Sequence, residues 1–150
     1  MPQSYARLYV HIIFGTKQRH RSIKREWASR LYEYIAGILR KRGSHLILGG
    51  GVEDHVHLLV SLSREESLSD VVRDVKSASS GWIHETISGE KRFAWQAGYA
   101  AFSVSQSSLE EVRNYIANQE EHHRTRTFRD ELKMFLMKHG IEFKEEYLTD

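Results

Sequence analysis

The chain has no cysteine in its 150 residues. That excludes disulfides, a thiolate nucleophile and every cysteine-based zinc site, structural zinc fingers included. A bound metal would have to be held by histidine, carboxylate, amide or water. There is no apolar run near the roughly 18 residues that a membrane-spanning helix needs, so no membrane partner is expected. The N-terminus, Met1-Pro2-Gln3-Ser4-Tyr5-Ala6-Arg7, has no apolar signal core, and the expected location is cytoplasmic. No phosphate-cradling P-loop pattern occurs. The sequence also lacks an excess of either charge. A formal +2 is too small to argue for a nucleic-acid partner by itself.

The distribution of charge says more than its sum. Lys17, Arg19, Arg21, Lys24 and Arg25 fall close together with no acid among them, and Arg40-Lys41-Arg42 and His122-His123-Arg124-Thr125-Arg126 form two further clusters. Local basic clusters are what a phosphate backbone asks for, although each one alone reads better as a solvated loop or helix end. The hydrophobic fraction of 40% and aromatic fraction of 11% suit a globular protein, and the length suits one domain, 1–150, with one core.

Hydrophobic periodicity gives the order of elements. Leu8 to Thr16 alternates as a strand, with Leu8, Val10, Ile12 and Phe14 on one face and Tyr9, His11, Ile13 and Gly15 on the other. From Lys24 to Lys41 the period becomes helical, with Trp27, Leu31, Tyr34, Ile35, Ile38 and Leu39 on one face. His45 to Gly49 reads as a short strand broken by Gly49-Gly50-Gly51, and His55 to Leu62 as the second arm of a hairpin. Ser67 is a helix N-cap with Asp70 three residues on, and the helix is predicted to run from Leu68 to Thr86. A fourth strand, Tyr99 to Ser105, is expected to turn Ala100, Phe102 and Val104 toward the core. Two helices follow, Leu109 to about Glu121 and Phe128 to Lys138. This is the split β-α-β pattern of an α+β, ferredoxin-like sandwich with an antiparallel sheet. The first two helices would cover the apolar face of the sheet. The opposite face would stay open, presenting Tyr9, His11, His55, His57 and Tyr99.

The candidate chemistry lies in Asp54-His55-Val56-His57-Leu58-Leu59-Val60. On a strand, His55 and His57 point to the same side, and two imidazoles there can hold one metal ion if a third ligand arrives from elsewhere. His11 is predicted to be their neighbour across the strand pair. Downstream, Tyr115 and Gln119 are four residues apart and share a helix face, and a glutamine carbonyl can coordinate a cation.

This combination resembles the HUH superfamily, in which two histidines flank one hydrophobic residue. More narrowly it resembles the single-tyrosine transposases of the insertion-sequence-200 group and their REP-associated relatives. Lys76-Ser77-Ala78-Ser79-Ser80, the stretch Trp95 to Ser105, and Tyr115-Ile116-Ala117-Asn118-Gln119 carry the likeness beyond the histidine strand. The chain departs from it at Lys17-Gln18-Arg19-His20-Arg21, where an aromatic residue is expected beside the basic ones.

The resemblance implies a DNA transposase acting on single-stranded DNA, with hairpin ends as the usual substrate. Tyr115 would be the nucleophile, leaving a 3′-hydroxyl and a 5′-phosphotyrosine bond that a second strand later reverses. His55, His57 and Gln119 would hold a divalent ion, Mg2+ or Mn2+. It also implies a homodimer, in which the short polar link Ser105-Gln106-Ser107-Ser108 could let the tyrosine helix complete the partner's site. Lys17, Arg19, Arg21, Arg73 and Lys76 are candidates for DNA-backbone contacts. Three alternatives stay open: a domesticated relative that processes palindromic repeats, a metal-dependent hydrolase using water, and a non-catalytic nucleic-acid binder of the same fold. The last needs aromatics on the central strands, where this chain has His55 and His57.

Overall fold

The computed structural model describes residues 3–148; Met1, Pro2, Thr149 and Asp150, which belong to the expected 1–150 domain, lie outside the described residues. Four strands, β1 (Tyr9–Gly15), β2 (His45–Val52), β3 (His55–Ser61) and β4 (Ala100–Val104), form one antiparallel sheet in the order β2-β3-β1-β4. The first strand lies beside the third, as the ferredoxin-like reading expects. Helices α1 (Arg25–Lys41) and α2 (Leu68–Thr86) cover one face. Their apolar stripes meet Ile12, Phe14, Val56, Leu58 and Val60 in the main core, because alternation sends those strand residues to one side. The α2 N-cap forms as expected, with Ser67 accepting from the Asp70 backbone N–H at 3.2 Å.

Three expectations need correction. The three glycines do not break β2; they lie inside it, paired with β3 across Gly49↔Leu58, Gly50↔His57 and Gly51↔Val56. They are small because neighbours press on the strand. A Cβ on Gly50 would lie 2.8 Å from the Ile116 carbonyl oxygen, and one on Gly51 would lie 2.3 Å from the His55 carbonyl oxygen. A two-residue turn, Glu53-Asp54, closes the hairpin.

β4 does not turn its large residue to the main core. Phe102 sits opposite His11 in the ladder, so it joins Ile13, Phe128, Phe135, Leu136 and Leu148 in a second cluster on the histidine face. Tyr99, expected on that face, instead lies on the α2 side with its ring near the Lys76 ammonium.

The third correction concerns the face expected to be open. It is covered by α3 (Leu109–Ala117), α4 (Gln119–His122) and α5 (Phe128–Lys138). The predicted Leu109–Glu121 helix is interrupted at Asn118, whose ψ of 28° leaves the helical region. The helix α5 starts where predicted, capped by Thr127 accepting from the Asp130 N–H at 3.1 Å.

Candidate metal and tyrosine site

The site is built on β3 and closed by α3, α4 and α5. His55 and His57 are fully buried on the second face of the sheet. Their ring centroids are 5.2 Å apart, as same-face neighbours on one strand should be. The Asp54 carboxylate lies 2.8 Å from His55 Nδ1, and His11 Nε2 lies 2.7 Å from His57 Nδ1. Each metal-candidate imidazole is thus held through one nitrogen and turns Nε2 inward. Sequence reasoning weighed His11 as a neighbour and gave Asp54 no role.

The inward nitrogens meet a residue that sequence reasoning missed. Glu131, on α5, is fully buried. Its Oε1 lies 3.1 Å from His55 Nε2, 2.9 Å from His57 Nε2 and 3.1 Å from His123 Nε2. Its Oε2 accepts from the Gln119 side-chain N–H at 2.7 Å and from the Tyr115 hydroxyl. The Gln119 carbonyl oxygen lies 3.1 Å from His55 Nε2. The four residues expected from sequence as nucleophile and metal ligands, Tyr115, His55, His57 and Gln119, do converge, but around a carboxylate. The signal for it was the helical spacing of α5: Glu131 follows Phe128 by three and precedes Phe135 by four. That places a carboxylate on the buried stripe, where a charged group needs partners.

The electrostatics follow from burial and these contacts. Burial opposes the charged form of Glu131, but hydrogen bonds from His123, His55 and His57 outweigh it and hold the carboxyl far below its ordinary range. Burial lowers the His57 pKa to about 4, against the pull of Glu131. His11 falls to about 3, mainly through burial and then through His57. For His55 burial also disfavours the charge, yet the hydrogen bonds to Asp54 and Glu131 prevail and raise it. Burial and then Glu131 push the Tyr115 phenol well above its ordinary value. The resting hydroxyl therefore stays protonated.

His55, His57 and Glu131 form a buried group whose ligand atoms lie within 4.8 Å of one another. Two imidazoles with a carboxylate, and an amide oxygen beside them, are a donor set that fits a divalent transition ion. The convergence of three Nε2 atoms on one oxygen marks a point that a cation could share.

The basic candidates separate. Arg21 lines a groove of about 830 Å³ that runs past Arg25, Arg124 and Arg126 to Asp54, His123 and Phe128 at the edge of the site. Lys17 is exposed in a 3₁₀ turn, Lys17–Arg19. Arg19 takes a left-handed backbone conformation, φ 57°, and lays its guanidinium 3.7 Å from the centre of the Phe128 ring. Phe128 in turn stacks on His55. Arg73 is exposed on α2, on the other face of the sheet, and bonded to Asp70 at 2.9 Å. Lys76 does not serve as a free cation. Its ammonium donates to the carbonyls of Gln96, Ala97 and Gly98 at 2.9, 3.4 and 2.6 Å. Three donors on three carbonyls leave none for a phosphate, and burial lowers its pKa to about 8.

Among the described residues no helix is long and apolar enough to cross a membrane. Residues 4–119 match the family profile described as "Transposase IS200 like". That span includes Tyr115 and Gln119 and stops before α5. The chain is 28% identical over 117 residues to the ISDra2 transposase TnpA of Deinococcus radiodurans, covering 75% of this chain and 84% of that protein. A crystal structure of a transposase candidate from Deinococcus radiodurans R1 superposes with a TM-score of 0.62 at 26% identity, over 79% of this chain and 96% of that one. The fold is shared too with a REP-associated tyrosine transposase bound to a REP hairpin, with a TM-score of 0.61 at 15% identity over 82% and 73% of the two chains. With a profile spanning β1 to Gln119 and relatives covered over most of their length, the chain belongs to the IS200-like transposase family.

Proposed function

We propose that this protein cuts and rejoins single-stranded DNA at hairpin ends by transesterification through Tyr115. The observation that carries the reading is the meeting of Tyr115, Gln119, His55 and His57 on Glu131 within one chain. A tyrosine hydroxyl beside a pair of imidazoles buried on a strand has little purpose in a purely structural core.

His55, His57, Gln119 and Glu131 would hold a divalent ion, Mg2+ or Mn2+, which when bound would supply Lewis-acid polarisation of the phosphodiester. The chain's residues do the rest. The Tyr115 oxygen attacks phosphorus and its proton leaves to water, while Glu131 Oε2, which accepts the hydroxyl in the resting site, orients it. The P–O3′ bond breaks, and the leaving 3′ oxygen takes a proton from water. One ester replaces another, so rejoining by an incoming 3′-hydroxyl needs no nucleotide cofactor. Lys17, Arg19 and Arg21, with the arginines of the adjoining groove, would carry the strand's phosphates; Arg73 would touch only DNA that wraps to the α2 side. A homodimer of this chain would carry two sites, each already complete, and the location that suits such a protein is the cytoplasm.

The test is to incubate the protein with 5′-extended single-stranded hairpin DNA and Mn2+, then run a denaturing gel. A covalent protein–DNA band is expected from the wild type and none from Tyr115→Phe. Strand cleavage that persists in Tyr115→Phe would replace this reading with hydrolysis by water.

A further inference from the structure

We propose that His11 is a positioning residue that sets which nitrogen of His57 carries the proton, and so lets His57 offer Nε2 to a metal ion without any change in net charge. The inference rests on the metal-site reading above.

The two histidine ligands are held differently. His55 Nδ1 faces a carboxylate, Asp54, at 2.8 Å. A carboxylate only accepts, so His55 carries a proton on Nδ1, and its Nε2, which faces Glu131 Oε1 at 3.1 Å, has only its own proton to give up before it ligates. His57 Nδ1 faces another imidazole, His11 Nε2, at 2.7 Å. A neutral imidazole can donate or accept at either nitrogen. One proton lies between His11 Nε2 and His57 Nδ1, so the two rings must share a tautomer: both protonated on Nε2, or both on Nδ1.

Geometry holds the pair in place. His11 sits on β1 one diagonal step from His57, since Ile13 is the residue directly opposite it. The His11 ring is met edge-on by Phe135, centroids 5.0 Å apart at 89°. Both imidazoles are buried. His57 Nε2 lies 2.9 Å from Glu131 Oε1; when that contact is a hydrogen bond the nitrogen carries the proton, and both rings are then Nε2–H. For His57 to ligate, that proton leaves to water, the His11 Nε2 proton passes to His57 Nδ1, and His11 Nδ1 takes one from water. Three moves leave the proton count and charge unchanged. A carboxylate in place of His11 would add a second buried negative charge beside Glu131.

The test has two arms. In 15N-histidine spectra of the metal-free protein, His11 and His57 should both appear as Nε2–H, and after addition of Zn2+, a diamagnetic probe, both as Nδ1–H. Unlike tautomers for the two rings, or a His11 that stays Nε2–H when His57 ligates, would overturn the proposal. Separately, Mn2+ affinity is read by electron paramagnetic resonance. His11→Phe, which can neither donate nor accept, should weaken binding by roughly 10–100-fold, the usual size of a lost outer-shell partner. His11→Gln, whose amide can present either group, should recover most of that loss. Equal affinity in His11→Phe, or no recovery in His11→Gln, would count against it. A wild type that binds neither ion would remove the metal-site reading instead, and the metal-free spectrum would still decide whether the two rings share a tautomer.

Discussion

At the scale of single residues, the centre of the molecule is a charge that a hydrophobic stripe should not contain. Glu131 is buried among Phe128, Phe135 and three imidazoles, and it persists there because every nearby donor points at it. The same burial makes the metal-free fold sensitive to acid. His57 and His11 titrate near 4 and 3 in the folded protein against an ordinary 6.5. Depressed histidines bind protons in the unfolded chain first, so their contribution is complete above about 6.5 and is lost as the pH falls toward 4. Glu131, depressed as a carboxyl, adds stability that is lost in the same direction; His55, raised, works against it. Urea unfolding in the presence of a chelator should show stability lower at pH 5 than at pH 7 by on the order of 1–3 kcal/mol, with a shallower slope in His11→Gln. A flat profile, or one rising toward acid, would show that these imidazoles are not held neutral.

At the scale of elements, Tyr115 is positioned by backbone packed on backbone. The Gly50 Cα lies where α3 presses on β2, and a Cβ there would meet the Ile116 carbonyl oxygen at 2.8 Å. A carbonyl cannot rotate away as a side chain can. Gly50→Ala should therefore cost about 1–3 kcal/mol and shift α3, reducing covalent adduct formation more than Mn2+ binding at His55 and His57. Equal losses in both would show that α3 does not set the tyrosine independently. This contact also marks the limit of what the sequence could say. Alternation placed His55, His57 and His11 on one face, and the stripe of α1 and the cap of α2 were readable from Trp27, Leu31 and Ser67. The three glycines read as a break because nothing local tells a turn from a strand that another element presses upon. The face of Phe102 was lost because β4 is short and carries apolar residues on both of its faces, Ala101 toward one core and Ala100 and Phe102 toward the other. Glu131 carried a spacing signal, but its role depends on α5 folding back over the sheet, a contact made between distant parts of the chain.

At the scale of the whole molecule, the sheet separates structure from chemistry. Its α1–α2 side is a hydrophobic core, along which Lys76 ties α2 to the segment before β4. Its other side brings Tyr115, Gln119, His55 and His57 onto Glu131 within one chain, and the proposed function uses that set without a residue from a second copy. Mixing His57→Ala protein with Tyr115→Phe protein should consequently give no covalent adduct, because each chain lacks a part the other cannot lend. Adduct restored on mixing would mean that the tyrosine helix exchanges between copies. The claim beneath all of this is that Tyr115 itself takes the phosphate. The direct measurement is mass spectrometry of the protein after reaction with single-stranded hairpin DNA and nuclease trimming. The tryptic peptide Asn114–Arg124 should gain the mass of a 5′-linked nucleotide, located on Tyr115. Cut DNA with that peptide unmodified, or the nucleotide found on another residue, would contradict it.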